Sequence, residues 1–357
     1  MLTAVLLFIV GLVCLIKGGD WFVDGASDLA RRFHLPEILI GATVVSIGTT
    51  LPEVMVSTMS ALSGHGEIAY GNALGSIICN TALIAAVTMA VRPAKADAAA
   101  MKKPLLFFFL AAAVYSFAAY VLGRFTRLTG VILLLIFVVY MVVTVRQMTA
   151  VKRLAPGNDA GASAADSGES KTAGETEAAE AEVIAGKDTG RAADGGKAGK
   201  DSLTLMLVRL IAGAAVIAVG ADLLVDNGTL IAKFLGVPES VIALTFVALG
   251  TSLPELVTAV TSLMKGHSDL SVGNIIGANV FNLVLVSGVS VTLAPFNVPG
   301  NSLIAGYNAS LVLDIPVMLL VMLIMALPAL FRGRLSRGQG ILLLLIYLVY
   351  CGIQFML

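Results

Sequence analysis

The chain has 357 residues, of which 58% are hydrophobic and 13% charged, and its formal net charge is zero. Soluble domains carry about 25% charge, which argues against a soluble enzyme, and the neutral balance leaves no basic footprint for nucleic acid. Residues 154–201 hold 15 of the 46 acidic and basic residues, so the remainder is too apolar to keep its surface in water and has lipid as its solvent.

A bilayer core of about 30 Å needs about 20 apolar residues per helix. In chain order such runs fall at 1–22, 37–62, 67–91, 103–122 and 128–148, then at 203–225, 238–264, 270–294, 308–331 and 338–357. The first lacks a basic leader and a small-residue cleavage site, so it reads as a helix and not a signal peptide. The expected fold is therefore all-α integral membrane, with ten transmembrane helices. Cys14, Cys79 and Cys351 lie far apart in apolar runs, so they form neither a metal pair nor a disulfide framework.

Basic residues in short loops set orientation. Arg31, Arg32, Arg92, Lys95, Lys102, Lys103, Arg332, Arg334 and Arg337 fall in the loops after runs 1, 3 and 9. Lys152, Arg153 and Lys265 follow runs 5 and 7, whereas the opposite side shows only Arg124, Arg127 and Lys233. Both termini are thus expected outside, with the segment after run 5 cytoplasmic. That segment is rich in Ala, Gly, Asp and Glu and has no aromatic residue, so it cannot offset its ordering entropy and reads as a disordered tether.

The two halves match at a constant offset of 202. Gly48 to Glu53 reads GTTLPE and Gly250 to Glu255 reads GTSLPE; Gly71 to Asn80 reads GNALGSIICN and Gly273 to Asn282 reads GNIIGANVFN. Asp20, Asp24, Pro36, Gly64 and His65 match Asp222, Asp226, Pro238, Gly266 and His267. Each half has five runs, and an odd number sends the second copy into the membrane from the other side. This is an inverted-topology repeat, a plan that places the substrate near the midplane where the copies meet. The domains are residues 1–150 as the first repeat, 151–202 as the linker and 203–357 as the second repeat.

Glu53 and Glu255 lie inside apolar spans with no Lys or Arg in the same span; Lys17 is the main candidate for a base from elsewhere. Intramembrane carboxylates are paired or line a wet cavity, and two without fixed counter-charges require a mobile one, which a single divalent cation supplies. Pro52 and Pro254 remove a backbone donor, and Gly48 and Gly250, four residues back, permit an unwound turn. Thr49, Thr50, Thr251 and Ser252 add hydroxyl oxygens one turn from the acids, completing a hard-oxygen set suited to Ca²⁺, Na⁺ or Mg²⁺. Ser76 and Asn80 share a helical face, with Ala278 and Asn282 in the matching places; such asparagines serve either as ligands or as interhelical glue. Gly71, Gly75, Gly273 and Gly277 are spaced for close helix packing. Asp20, Asp24, Asp222 and Asp226 sit at run ends, as caps or as an ion vestibule. Asp314 stands inside run 9 without a copy in the first half, and His65 and His267 read as solvated loop residues.

On these motifs the chain resembles the calcium/cation antiporter superfamily, specifically prokaryotic sodium/calcium exchanger-like proteins, over both halves and the linker. The resemblance implies that Glu53 and Glu255 bind the transported cations, that backbone carbonyls of Thr49 and Thr251 help hold Ca²⁺, and that Thr50 and Ser252 serve Na⁺. It assigns further Na⁺ carbonyls to Ser46 and Ala248, and completes the site with Ser76, Asn80 and Asn282. Two positions depart from the pattern: a serine is replaced by Ala278, and an acid found in some members is the amide Asn282. The expected function is Ca²⁺/Na⁺ antiport by alternating access in a prokaryotic inner membrane, with no cofactor. Helices 1 and 6 are expected to slide across helices 2, 3, 7 and 8. The rivals are a proton-coupled exchanger, in which H⁺ replaces Na⁺, an intramembrane enzyme using the two acids, and a passive channel.

Overall fold

The computed structural model describes residues 2–93, 97–154, 203–234, 250–300 and 302–356. It is helical almost throughout. In chain order the helices are α1 Leu2–Phe33, α2 Glu37–Leu62, α3 Gly66–Val91, α4 Ala98–Leu122, α5 Arg127–Leu154, α6 Leu203–Phe234, α7 Leu253–Met264, α8 Ser268–Leu293, α9 Ser310–Arg332 and α10 Arg337–Met356. Among the described residues nine are long and apolar enough to cross a membrane, and α7 is the described part of the run expected at 238–264. The linker reading at 151–202 falls almost wholly outside the described residues; α5 continues as helix to Leu154.

Helix ends follow local chemistry. Asp97 caps α4, its Oδ1 accepting from the Ala99 amide at 3.0 Å. Gly64 and Gly266 adopt φ of +84° and +85° between α2 and α3 and between α7 and α8, so the matched Gly-His pairs make the same left-handed turn in both halves. Two-residue strands pair in the connections: β1 Arg124–Phe125 with β2 Phe296–Asn297, and β3 Leu303–Ile304 with β4 Tyr307–Asn308.

α1 continues eleven residues beyond the expected run of 1–22, because no breaker intervenes before His34 and Pro36 and its acids find partners. Asp20 and Asp24 are therefore inside a helix, not at its end. They hold Lys265 Nζ at 3.3 and 2.7 Å, and Asp28 Oδ2 holds Arg209 Nη1 at 3.3 Å. Asp222 and Asp226 likewise lie within α6.

α1 and α6 run antiparallel, and glycines seven residues apart bring their backbones together. A Cβ on Gly11 would stand 2.9 Å from the Gly220 carbonyl, one on Gly18 3.0 Å from the Gly213 carbonyl, and one on Gly25 2.9 Å from the Met206 carbonyl. This pair flanks a tight centre. In α8, 83% of the most apolar stretch is buried, against 22% in α1 and 17% in α10, whose outer faces carry the exposed aliphatic side chains expected against lipid.

The loops expected on one side of the membrane contact each other. Besides the Lys265 cluster, His267 Nδ1 lies 2.7 Å from Glu37 Oε1, Arg92 donates to the Leu263 carbonyl, and Arg337 donates to the Val91 carbonyl. His267 is thus engaged with Glu37 rather than solvated, while His65 is exposed as expected. The other group meets through β1 and β2, with Gly66 against Phe296.

Candidate functional site

Glu53 and Glu255 are both fully buried. Glu53 sits in α2, and Glu255 lies in the first turn of α7 just behind Pro254. The two motif segments differ in backbone form. Residues 251–252 form a turn before α7 begins at Leu253, as the glycine–proline spacing implies. In the first repeat the expected unwinding at Gly48 does not occur, and α2 remains helical through Pro52. The irregularity lies a turn earlier, as a π-helical stretch from Gly41 to Val45. Its loosened carbonyls are taken up by side chains: Ser46 Oγ donates to Gly41 O at 2.7 Å, and Tyr140 Oη donates to Ala42 O at 2.9 Å. Gly48 instead receives the Phe22 ring of α1, whose Cζ would stand 3.2 Å from a Cβ there.

π-Helical stretches also begin at Asn80 and at Asn282, matched positions in the two repeats. Such wide turns are frequent at functional sites because they redirect side chains and carbonyls. The Asn80 stretch packs on α7, and the Asn282 stretch packs on α2. Each glutamate-bearing helix therefore faces the asparagine turn of the opposite repeat.

The protein leaves much of this region's polar capacity unused. Both carboxylate oxygens of Glu53, Glu255 Oε2, the entire carboxamides of Asn80 and Asn282, and Ser252 Oγ are buried without a hydrogen-bond partner among the described residues. Buried polar groups are nearly always paired, and leaving one unpaired costs about 1–3 kcal/mol. Thr50 Oγ1 makes a long contact to Glu255 Oε1, 3.5 Å, across the repeat boundary. Ser46, Thr49, Thr50 and Ser76 are buried beside these groups, whereas Thr251 is half-buried. Ala248 lies outside the described residues.

The ion pairs seen among the described residues join Lys265, Arg209 and His267 to acids at helix ends and interfaces, and none reaches Glu53 or Glu255. Lys17, the base considered for them, is exposed on α1. Asp314 stands apart, accepting from Tyr350 Oη at 3.2 Å and Gln354 Nε2 at 2.6 Å as a clamp between α9 and α10. Cys14, Cys79 and Cys351 are free thiols.

Two points concern the small and polar residues. Gly273 and Gly277 do pack: a Cβ on Gly277 would meet Ala42 Cα at 2.6 Å, and one on Gly273 would meet the Ile38 backbone. Gly71 and Gly75 meet no atom of the described residues within 4 Å, and positions 240 and 244, which match Ile38 and Ala42, lie outside the described residues, as does the packing expected there. The second is Asn72 and Asn274, which sequence reasoning passed over although both stand in the repeated G-N step. Asn274 Oδ1 accepts from Thr49 Oγ1 and from Ser46 Oγ, each at 3.3 Å. Asn72 Oδ1 accepts from Thr251 Oγ1 at 3.2 Å, while its Nδ2 donates to Ser57 Oγ at 2.8 Å and to the Glu53 carbonyl at 3.3 Å.

The profile of the sodium/calcium exchanger protein family matches residues 3–146 and 205–356. Inner membrane protein YrbG of Escherichia coli strain K12 is 34% identical over 344 residues, covering 96% of this chain and 94% of that protein. Sodium/calcium exchanger MaX1 of Methanosarcina acetivorans is 28% identical over 98% of both chains. Among solved structures, the sodium-calcium exchanger NCX_Mj, soaked with Na⁺ and Sr²⁺, superposes with a TM-score of 0.73 at 27% identity, covering 98% of this chain and 97% of that one. The chain therefore belongs to the sodium/calcium exchanger protein family, and is an all-α membrane transporter of the cation antiporter type rather than an enzyme.

Proposed function

We propose that the protein exchanges Ca²⁺ for Na⁺ through one shared site, at which Glu53 and Glu255 carry the charge that the ions neutralise. The observation that carries this reading is the pair of fully buried carboxylates, three of whose four oxygens have no partner among the described residues. An ionised carboxylate taken out of water costs several kcal/mol even after relaxation, and no basic side chain among the described residues pairs with either glutamate. One Ca²⁺ balances both charges, and monovalent ions at the same oxygens balance them as well. Because the ligands are shared, the two occupancies exclude each other, which makes the coupling an exchange.

The donor set fits hard cations. Carboxylates, hydroxyls of Thr50 and Ser252, carbonyls of Thr49 and Thr251, and the carboxamide oxygens of Asn80 and Asn282 are oxygen ligands throughout, with Ser76 beside them. Ser46 and Ala248 extend the Na⁺ carbonyl set. The loss of a hydroxyl at Ala278 and of an acid at Asn282 leaves the two-carboxylate divalent site whole.

Alternating access is the second half of the proposal. α1 and α6 touch along a glycine seam with no interlocking side chains at Gly11, Gly18 and Gly25, a smooth surface for movement as one unit. Phe22 links that unit to α2 at Gly48, five residues before Glu53. An empty site with two charges resists crossing a low-dielectric core, so movement without cargo is suppressed. The linker lies on the cytoplasmic side and both termini lie outside.

The test is Ca²⁺ uptake into proteoliposomes. An imposed Na⁺ gradient is expected to drive uptake in the wild type, and Glu53→Gln and Glu255→Gln to abolish it while still inserting. Transport persisting in both variants overturns the site, and uptake driven only by a pH gradient replaces Na⁺ with H⁺ as the coupling ion.

A further inference from the structure

The repeats match at an offset of 202, so Asn72 corresponds to Asn274 and Thr49 to Thr251. Their contacts cross between repeats: Thr49 Oγ1 donates to Asn274 Oδ1 at 3.3 Å, and Thr251 Oγ1 donates to Asn72 Oδ1 at 3.2 Å. The other bonds of these asparagines are not matched; for the serine partners the sequence shows why, whereas the Asn72 bond to the Glu53 carbonyl has no counterpart at Asn274 among the described residues. Ser46, which donates to Asn274, has Ala248 as its counterpart, and Ser57, which accepts from Asn72, has Ala259. The threonine–asparagine bond is what both halves retain where the neighbouring hydroxyls have diverged.

A helical threonine ordinarily returns its hydroxyl to the carbonyl four residues back. Thr43, Thr144 and Thr292 do so in this protein, donating to Leu39, Tyr140 and Gly288 at 2.6–2.8 Å. Thr49 Oγ1 stands 3.4 Å from the Ser46 carbonyl three residues back and 3.3 Å from Asn274 Oδ1 of the opposite repeat, and Thr251, in the turn before α7, donates to Asn72 Oδ1 at 3.2 Å. An asparagine suits that junction because its two polar atoms work in opposite senses. Asn72 accepts from Thr251 of one repeat while donating to the backbone carbonyl of Glu53 in the other.

We propose that Asn72 and Asn274 are matched positioning residues, each tying the first motif threonine of the opposite repeat to its own helix and so setting the spacing of the two halves of the site. The assignment rests on the two-glutamate reading above. It adds that neither asparagine touches the ion: they act by holding the Thr49 and Thr251 carbonyls and the Glu53 backbone in register. Ion sites need their ligands held to within about 0.5 Å, and a link through one side chain makes the position of one half depend on the other.

The test is a pair of double-mutant cycles read as half-saturating Ca²⁺ and maximal rate in proteoliposomes. Thr→Val keeps side-chain shape and the backbone carbonyl and removes only the hydroxyl. Asn72→Ala and Asn274→Ala are each expected to raise half-saturating Ca²⁺ about tenfold, the loss of one to two hydrogen bonds, with a smaller change in maximal rate. Within the matched pairs, Thr251→Val with Asn72→Ala and Thr49→Val with Asn274→Ala, the double variant is expected to be no worse than the asparagine variant. The mismatched pair, Thr49→Val with Asn72→Ala, is expected to be additive. If an alanine variant fails to insert, Thr49→Val and Thr251→Val alone break the same bonds from the other end, and unchanged half-saturation in both overturns the proposal. Additive matched cycles in a wild type that works and that Glu255→Gln abolishes overturn it alone. A wild type that moves no Ca²⁺ under any gradient overturns the site reading and this proposal with it.

Discussion

Replacing Glu53 by glutamine separates the cost of the site from its use. Both oxygens of this side chain are buried and have no partner among the described residues, so in the ion-free protein the carboxyl contributes no hydrogen bond to that part of the fold. The amide has the same shape and carries no charge, so the variant is expected to melt no lower than the wild type in chelator. Ligand changes the comparison. An ion that binds only the folded state stabilises it by about 2.7 kcal/mol at a hundredfold excess over its dissociation constant. At roughly 2 °C per kcal/mol for a chain of this size, that is a rise of about 5 °C. Thermal unfolding in detergent, with Ca²⁺ against chelator, reads both quantities. The wild type is expected to show the rise and Glu53→Gln to lose it while keeping its ion-free melting temperature. A variant that retains the full Ca²⁺ shift, or whose ion-free form melts well below the wild type, refutes the reasoning, because the carboxyl would then be structural.

Gly18→Ala places a methyl group about 3 Å from the Gly213 carbonyl and the Ile217 amide; it is expected to cost about 1–3 kcal/mol and to slow Ca²⁺ flux while leaving the Ca²⁺-dependent melting shift in place. Lys265→Ala breaks contacts to Asp20 and Asp24 that are partly solvated, with side chains 27–48% exposed. The stability change is expected to stay below about 1 kcal/mol and to vanish in high salt, as measured by thermal unfolding at low and high ionic strength. Gly277→Ala drives a Cβ into the Ala42 backbone and is expected to lower the melting temperature, read by thermal unfolding against the wild type.

Much of the fold was legible because lipid imposes a simple code. Runs of about 20 apolar residues announced the helices, and the unbroken offset of 202 announced the repeat, since both signals survive without knowledge of packing. The glutamates stood out for the same reason: charge in an apolar span is conspicuous. What stayed hidden depends on contacts. α1 outruns its apolar stretch because Asp20, Asp24 and Asp28 find bases on other helices, which no local window can register. The π-helical turns at Asn80 and Asn282 carry no compositional mark; only their recurrence at matched positions could have flagged them. Gly48 suggested unwinding, yet α2 relocates its irregularity to Gly41–Val45, where Ser46 and Tyr140 can bond the loosened carbonyls. Asn72 and Asn274 were visible as a repeated pair, but their partners lie about 180 and 225 residues away in sequence.

The most direct measurement is anomalous diffraction from crystals grown without Na⁺ and soaked in Sr²⁺, a scatterer that stands in for Ca²⁺. A peak is expected between the Glu53 and Glu255 carboxylates at coordination distance, about 2.3–2.6 Å for a Ca²⁺-like ion, and is expected to fade as Na⁺ is added. Density that leaves these two side chains uncoordinated, or a peak there that Na⁺ does not displace, contradicts exchange at a shared site.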